Sequence, residues 1–414
     1  MRLALAGLVA ACAPVAAPQT DASAKLPGAS VERDTTPMIT TARLAGPTAN
    51  ERAAWQAYIA RSQEVGARDR ALVADELRRL GRTVMTRAPY LGESFVVTAA
   101  MTDAFFQGAS ARAMARTMVS FQTPSGGWSK HVDMTQPPRA AGQSFFSEDE
   151  QWHYIATLDN NSTTSELVFL GRLERAQPDT AHRNAFVRGL HYLFDAQMPN
   201  GCWPQVFPLQ GGYHDAVTYN DDAMANAVNL LLDASADTYA FIGAADREAA
   251  AAAVSRAERC IRTGQVVVGG VRTIWGQQQD PLTLAPVDAR SYEHASLAPR
   301  ESVALLAFLL TRPNPDADLV AAIHAAADWF AANRLTGIRY QNYVMTKDAS
   351  APPIWARMAE IGTNRPIFSN RDGRILYDWN ELTDRREGYG WFTDAPSEFL
   401  KLYDAWARKH PRTG

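Results

Sequence analysis

From about Ala53 onward, apolar side chains recur at three- and four-residue steps, the spacing of helices that bury one face. The stretch ERAAWQAYIARSQEVGARDRALVADELRRLG opens the series. It continues through SELVFLGRLERA, RNAFVRGLHYLFDAQ, DAMANAVNLLLDASADTYAFI, REAAAAAVSRAERCI, RESVALLAFLL, DLVAAIHAAADWFAAN and PSEFLKLYDAWARK. Strand signals are short and few: GQVVVGGVRTIWG and IRYQNYV predict local ribbons. Between the helices run long polar loops containing Gly and Trp, and loops of such length in a compact domain usually carry function.

Two of these loops read almost alike. QTPSGGWSK runs from Gln122 to Lys130, and QMPNGCWPQ runs from Gln197 to Gln205, 75 residues further on. A weaker third copy, IWGQ, holds Trp275 and Gln277 without the leading Gln and Pro. Helix, Trp loop and helix at a regular period predict stacked helical hairpins, which can close into a toroid of inner and outer helices. P-x-G makes a turn, the Trp pins the loop, and Gln122 and Gln197 cap and pack. Lys130, Gln205 and Gln277, two residues after each Trp, are expected at equivalent places on one rim.

Asp159 and Asp221 each sit just before a helix, where an Asp often acts only as a cap. Ser162 and Thr163 with Glu166 resemble a capping box. Two aspartates at matching places in a repeat suggest more. With Asn160, Asn161, Asn220 and Asp222 they form a set of hard oxygen donors suited to calcium, though too dispersed for an EF-hand. The late loop NRPIFSNRDGRILYDWNELTDRREGYGWF offers Arg371 and Arg385 as carboxylate forks, with Arg365 and Arg386 as neighbours. Its Tyr377, Trp379, Tyr389 and Trp391 either form a sugar-stacking wall or pack inward.

Composition narrows the partners. A chain of 414 residues, 46% hydrophobic, can bury a large core, and a net charge of −3 speaks against nucleic acid. The opening MRLALAGLVAAC reads as an export signal over residues 1–12, with Cys12 placed for lipidation and membrane anchoring. Residues 13–46, rich in Ala, Pro, Thr and Ser, read as a flexible tether, and 47–414 as the catalytic domain. Cys202 and Cys260 then remain, and one disulfide between them is allowed in an exported protein.

GGWSKHVDM, DNNSTTSELVFLGRL, YHDAVTYNDDAMANAV, DPLTLAPVDARSYEHASL, IGTNRPIFSNRDG and RREGYGWF, in this order, resemble the family-10 polysaccharide lyases, the pectate lyases, over about residues 50–410. The resemblance implies an all-α fold, an (α/α)3 toroid with long loops and a few short strands on one rim. It also implies a polygalacturonate groove and calcium-assisted β-elimination. Asp159 and Asp221 match the family's acidic metal and substrate positions, Arg290 in ARSYE its arginine base, and Lys130, Arg371 and Arg385 its carboxylate binders. Ser129 stands where the family usually has Pro. Arg300 stands where a small residue is expected and is a rival base. A monomer is expected.

The physics suits such an assignment, because a cation at Asp221 and fixed guanidinium groups would stabilise charge building next to C5. An arginine base is in tension with a guanidinium pKa above about 12. Three other readings compete: a terpenoid cyclase on a similar α/α barrel, an inverting glycoside hydrolase using Asp159 and Asp222, and a lipoprotein that only captures oligogalacturonides.

Overall fold

The computed structural model describes residues 35–46, 48–147 and 154–412. The export signal, Cys12 and the tether as far as residue 34 lie outside them. The end of the expected tether belongs to the folded body instead. Leu44 has no exposed surface, Ile39 is buried, and Arg43 reaches Asp280 at 2.6 Å. Packing therefore begins before residue 47.

Ten helices follow among the described residues: α1 (Ala49–Arg79), α2 (Asp103–Gln107), α3 (Ala109–Ser120), α4 (Thr164–Ala176), α5 (Thr180–Ala196), α6 (Ala223–Ser235), α7 (Ala244–Thr263), α8 (Pro299–Leu310), α9 (Ala317–Ala332) and α10 (Ala395–Ala407). The fold is mainly α, and its sheets are all two-stranded. The helical periodicity is thus borne out, and both anticipated ribbons form, at 267–272 and 338–347. α4 packs on α5, α6 on α7 and α8 on α9 as hairpins. α4, α6, α8 and α10 touch in sequence as one row, and α3, α5 and α7 form a second.

The Trp loops weld the rows together, and there are four. The indole N–H groups of Trp128, Trp203, Trp275 and Trp355 donate to Met118, Leu193, Ile261 and Phe330 carbonyls at 2.7–2.9 Å. All four acceptors lie at the end of the preceding helix, and all four rings are fully buried. A buried indole must place its one donor, so the same bond recurs. The third copy does have its glutamine. Gln122 donates to Gly126 and Ala185 carbonyls, Gln197 to Gly201 and Ala253, and Gln265 to Thr273 and Ala322. The ribbon at 267–272 separates Gln265 from Trp275 and hides the match.

The loop glycines are close-packed. Gly201 has φ +98°, and a Cβ there would stand 2.2 Å from the Arg256 carbonyl oxygen of α7. Gly201→Ala is expected to destabilise the fold by about 2 kcal/mol or more, read as a lower urea midpoint. Beside it, Cys202 is disulfide-bonded to Cys260 of α7.

Short ribbons carry the repeat onto one rim. Ala156–Thr157 pairs with Val206–Phe207, Val217–Thr218 with Gln278–Gln279, and Leu297 bridges Ala359. Each time, the segment before a helix of the α4, α6, α8 row pairs with residues just after the next Trp. That placement brings the chemistry-bearing loops together.

Candidate active site

The residues after the first two ribbons follow the same backbone path. Asn160 and Asp221 have φ of 51° and 50°, and Asn161 and Asp222 have 64° and 61°. Outside glycine, Asn and Asp adopt this left-handed region most readily, which explains the run of these two types. The match pairs Asp159 with Asn220 and Asn160 with Asp221. Asp159 and Asp221 are therefore not repeat equivalents, as the sequence suggested, but offset by one.

The offset builds the site. Each loop contributes one carboxylate and one amide, and the four side chains interlock. Asn220 Nδ2 donates to Asp159 Oδ1 at 3.2 Å and to Asp221 Oδ2 at 2.9 Å, while Asn160 Nδ2 donates to Asp221 Oδ2 at 3.1 Å. Lys130 Nζ sits 2.9 Å from Asp159 Oδ2, and Gln205 also bonds this carboxylate. Burial works against the Asp159 charge, but Lys130 outweighs it and holds the group below the usual carboxylate range. Burial, then the charge of Asp159, pushes Asp221 up to about 6.

Neither aspartate caps a helix through its side chain. The expected capping box is only half made. Thr163 is the N-cap of α4, and its hydroxyl accepts from Trp128 N–H at 2.9 Å and donates to the Thr157 carbonyl at 2.9 Å. The hydroxyl is spent on the Trp loop. Glu166 is left fully buried with one carboxyl oxygen unpartnered, and burial raises its pKa to about 8. The unfolded chain loses this proton near 4.5 and the fold keeps it, so stability falls as pH rises from there to about 8. Glu166→Gln is expected to remove that loss, worth up to about 4 kcal/mol at pH 8, seen as a gain in melting temperature that grows as pH rises from about 4.5 to about 8.

A second cluster adjoins the first. Arg290 Nε and Nη2 donate to Glu293 at 2.7 and 2.6 Å. Glu293 is buried and also accepts from Gln277 at 3.0 Å and Tyr389 at 3.1 Å. Burial opposes both charges, but the pair prevails. Arg290 is driven above its ordinary value and Glu293 below its own. The guanidinium groups of Arg290, Arg371 and Arg385 stand 5.0, 6.0 and 4.3 Å from the Tyr292 ring. Arg371 is 61% exposed and Arg385 only 9%. Three of the late-loop aromatics, Trp379, Tyr389 and Trp391, are buried and pack. Tyr377 is exposed, with Arg365 over it at 3.8 Å, and Arg386 bonds Leu382 and Asn380 carbonyls.

Arg357 joins the two clusters, and the sequence reading missed it. It lies two residues after Trp355, the place that Lys130, Gln205 and Gln277 hold after their own Trp residues. Its Nη2 reaches Asn220 Oδ1 at 3.1 Å and Glu301 Oε1 at 2.9 Å, and its guanidinium stands 4.6 Å from the Tyr389 ring. Each of the four rim residues thus bonds a carboxylate. Tyr213 was missed too. Burial raises its pKa, and the charges of Arg290, Glu293, Asp159 and Lys130 all reach its hydroxyl. Arg300 ion-pairs with Asp222 at 3.0 Å. It takes the third place in the series Asp159, Asn220, Arg300, two residues after each ribbon N–H bonded to a Trp carbonyl. Ser129 is buried, and its hydroxyl bonds the Ile155 carbonyl.

The sequence motifs, the Trp loops and these side chains agree with comparison. A family model described as pectic acid lyase matches residues 122–400. The chain belongs to this family, the pectate lyases of polysaccharide lyase family 10. A family 10 polysaccharide lyase from Cellvibrio cellulosa superposes with TM-score 0.65 and 29% identity, over 77% of this chain and 99% of that one. An aspartate-to-alanine mutant of a Cellvibrio cellulosa family 10 lyase, in complex with trigalacturonic acid, gives 0.65 and 30%, over 77% and 100%. No curated protein matches the chain. As a member of the family it is a polysaccharide lyase.

Proposed function

We propose that this lyase cleaves α-1,4-linked polygalacturonate by calcium-assisted β-elimination, giving 4,5-unsaturated oligogalacturonides. One observation carries the reading: Arg357 joins the Asp159–Asp221 carboxylates to the arginines around Tyr292, so acid and guanidinium groups face one continuous rim. The trisaccharide bound by the Cellvibrio relative supports an acidic galacturonide as ligand. Lys130, Arg371 and Arg385 would hold carboxylates of successive rings, fixing the chain before reaction.

In the reacting ring, Arg290 takes the proton from C5. The C5–H electrons form the C4–C5 double bond, the C4–O4 bond breaks, and O4 leaves with a proton from water. Arg290 rests as a cation bonded to Glu293, so it must first yield a proton. That proton goes to solvent hydroxide, and the buried Glu293 carboxylate opposes its loss.

Among the described residues, no three His, Cys, Asp or Glu side chains converge on one point. The oxygen set nonetheless fits a hard cation. Burial, and after it the nearby Asp159 charge, lifts Asp221 to about 6, and a uronate carboxylate would supply a third anion. Asp159 and Asp221 would hold calcium, which when bound draws off charge that builds on the substrate carboxylate.

The helix rows are proposed to close as the (α/α)3 toroid. Export is supported by the Cys202–Cys260 disulfide, since such bonds persist in oxidising compartments, and a lipid anchor at Cys12 is proposed on the sequence alone. The rival enzyme readings lose support from the pairing of Asp222 with Arg300 and of Asp159 with Lys130. Incubation with polygalacturonate decides the matter. Accumulation of product absorbing in the short-wavelength ultraviolet is expected, whereas hydrolysis or mere capture would give none.

A further inference from the structure

We propose an outer uronate subsite beyond Lys130, built by Tyr90 and Arg87, which lie upstream of the residues that the family model covers. It rests on the polygalacturonate reading above. The segment is pinned along the residues that follow Lys130. Tyr90 bridges Val132 in antiparallel fashion, Leu91 N–H donates to the His131 carbonyl at 3.0 Å, and Asp133 N–H donates to the Pro89 carbonyl at 3.0 Å. Its placement is therefore set by backbone bonds, not by side chains alone.

The two side chains form a ready platform. The Tyr90 ring is 51% exposed, and its centre lies 5.8 Å from that of His131, the residue next to Lys130. Arg87 stands 5.7 Å from the same ring. Its Nε donates to the Ser147 carbonyl, and the Ser147 hydroxyl donates to the Lys130 carbonyl at 3.1 Å. That bond anchors the guanidinium while its two terminal nitrogens make no hydrogen bond among the described residues. An exposed aromatic face suits the C–H face of a pyranose ring, and a half-anchored guanidinium suits a carboxylate beside it. Together they match a galacturonate ring, which carries both features.

The contacts run from Arg87 and Tyr90 through Lys130 to Asp159, so the subsite lies away from Arg290 and the reacting ring. A contact so remote binds ground state and transition state alike and acts on KM, not kcat. The test is steady-state kinetics on galacturonate oligomers of increasing length and on the polymer. Tyr90→Ala and Arg87→Gln are each expected to raise KM for the polymer roughly tenfold, with kcat within about twofold. The effect should shrink as the oligomer shortens and no longer reaches Tyr90. Tyr90→Phe should keep most of the affinity, and thermal melting checks that each variant is folded. Unchanged KM at every length, or an equal loss at every length, overturns the subsite. An effect of Tyr90→Ala without one of Arg87→Gln overturns its assignment to a uronate. A wild type that neither cleaves nor binds any oligogalacturonide sinks the lyase reading itself, and the subsite with it.

Discussion

Arg290→Ala is expected to lower kcat on polygalacturonate by roughly 10³-fold or more while KM stays within a few-fold. Lys130, Arg371 and Arg385 remain to hold carboxylates, so binding survives while proton removal does not. Arg290→Lys is expected to be nearly as poor, because an ammonium cannot reproduce the two-pronged bond to Glu293. The readout is the rate of unsaturated product, with trisaccharide binding measured separately by calorimetry. Should Arg300→Ala show this pattern and Arg290→Ala not, the base is Arg300.

The pH profile probes the same residue. Glu293 raises the Arg290 pKa, so Glu293→Gln lowers it again. If neutral Arg290 is the base, the alkaline rise in kcat/KM moves to lower pH in Glu293→Gln. An unmoved rise would mean that Arg290 acts as a fixed cation, stabilising charge instead of removing the proton.

The chain made its helices legible and concealed part of its site, for physical reasons. Helical faces show because burial repeats with a fixed period, and α1 and α4–α10 follow the pattern. The Trp loops showed where the turn residues are intact. The third lost its glutamine to view because a ribbon separates Gln265 from Trp275. The fourth lost Gln, Pro and Gly together, and with them the clue to Arg357. Glu293 stood inside a recognised motif, but its role depends on meeting Gln277 and Tyr389, which are 16 and 96 residues away. The one-residue offset of Asp159 and Asp221 follows from left-handed backbone at Asn160 and Asp221, which spacing alone does not encode.

Chelation of calcium is expected to abolish turnover, and Asp221→Ala to raise the calcium concentration for half-maximal rate by roughly 100-fold. Asp159 and Asp221 are held close by Asn160 and Asn220, and burial with mutual repulsion lifts Asp221 to about 6. A divalent cation would relieve that repulsion, and so affinity for it should track the charge at Asp221 more than the shape. Asp221→Asn separates the two, because it keeps the volume and removes the charge. It should behave like Asp221→Ala in calcium titrations of the initial rate. Lys130→Gln should behave differently: it takes a cation from Asp159, so calcium affinity should not fall, while KM for polygalacturonate rises. Activity indifferent to chelator would remove the metal from the mechanism and leave charge stabilisation to Arg290, Arg357 and Arg385. The buried Asp221 carboxyl would then serve to orient Asn160 and Asn220, and Asp221→Asn would be nearly silent.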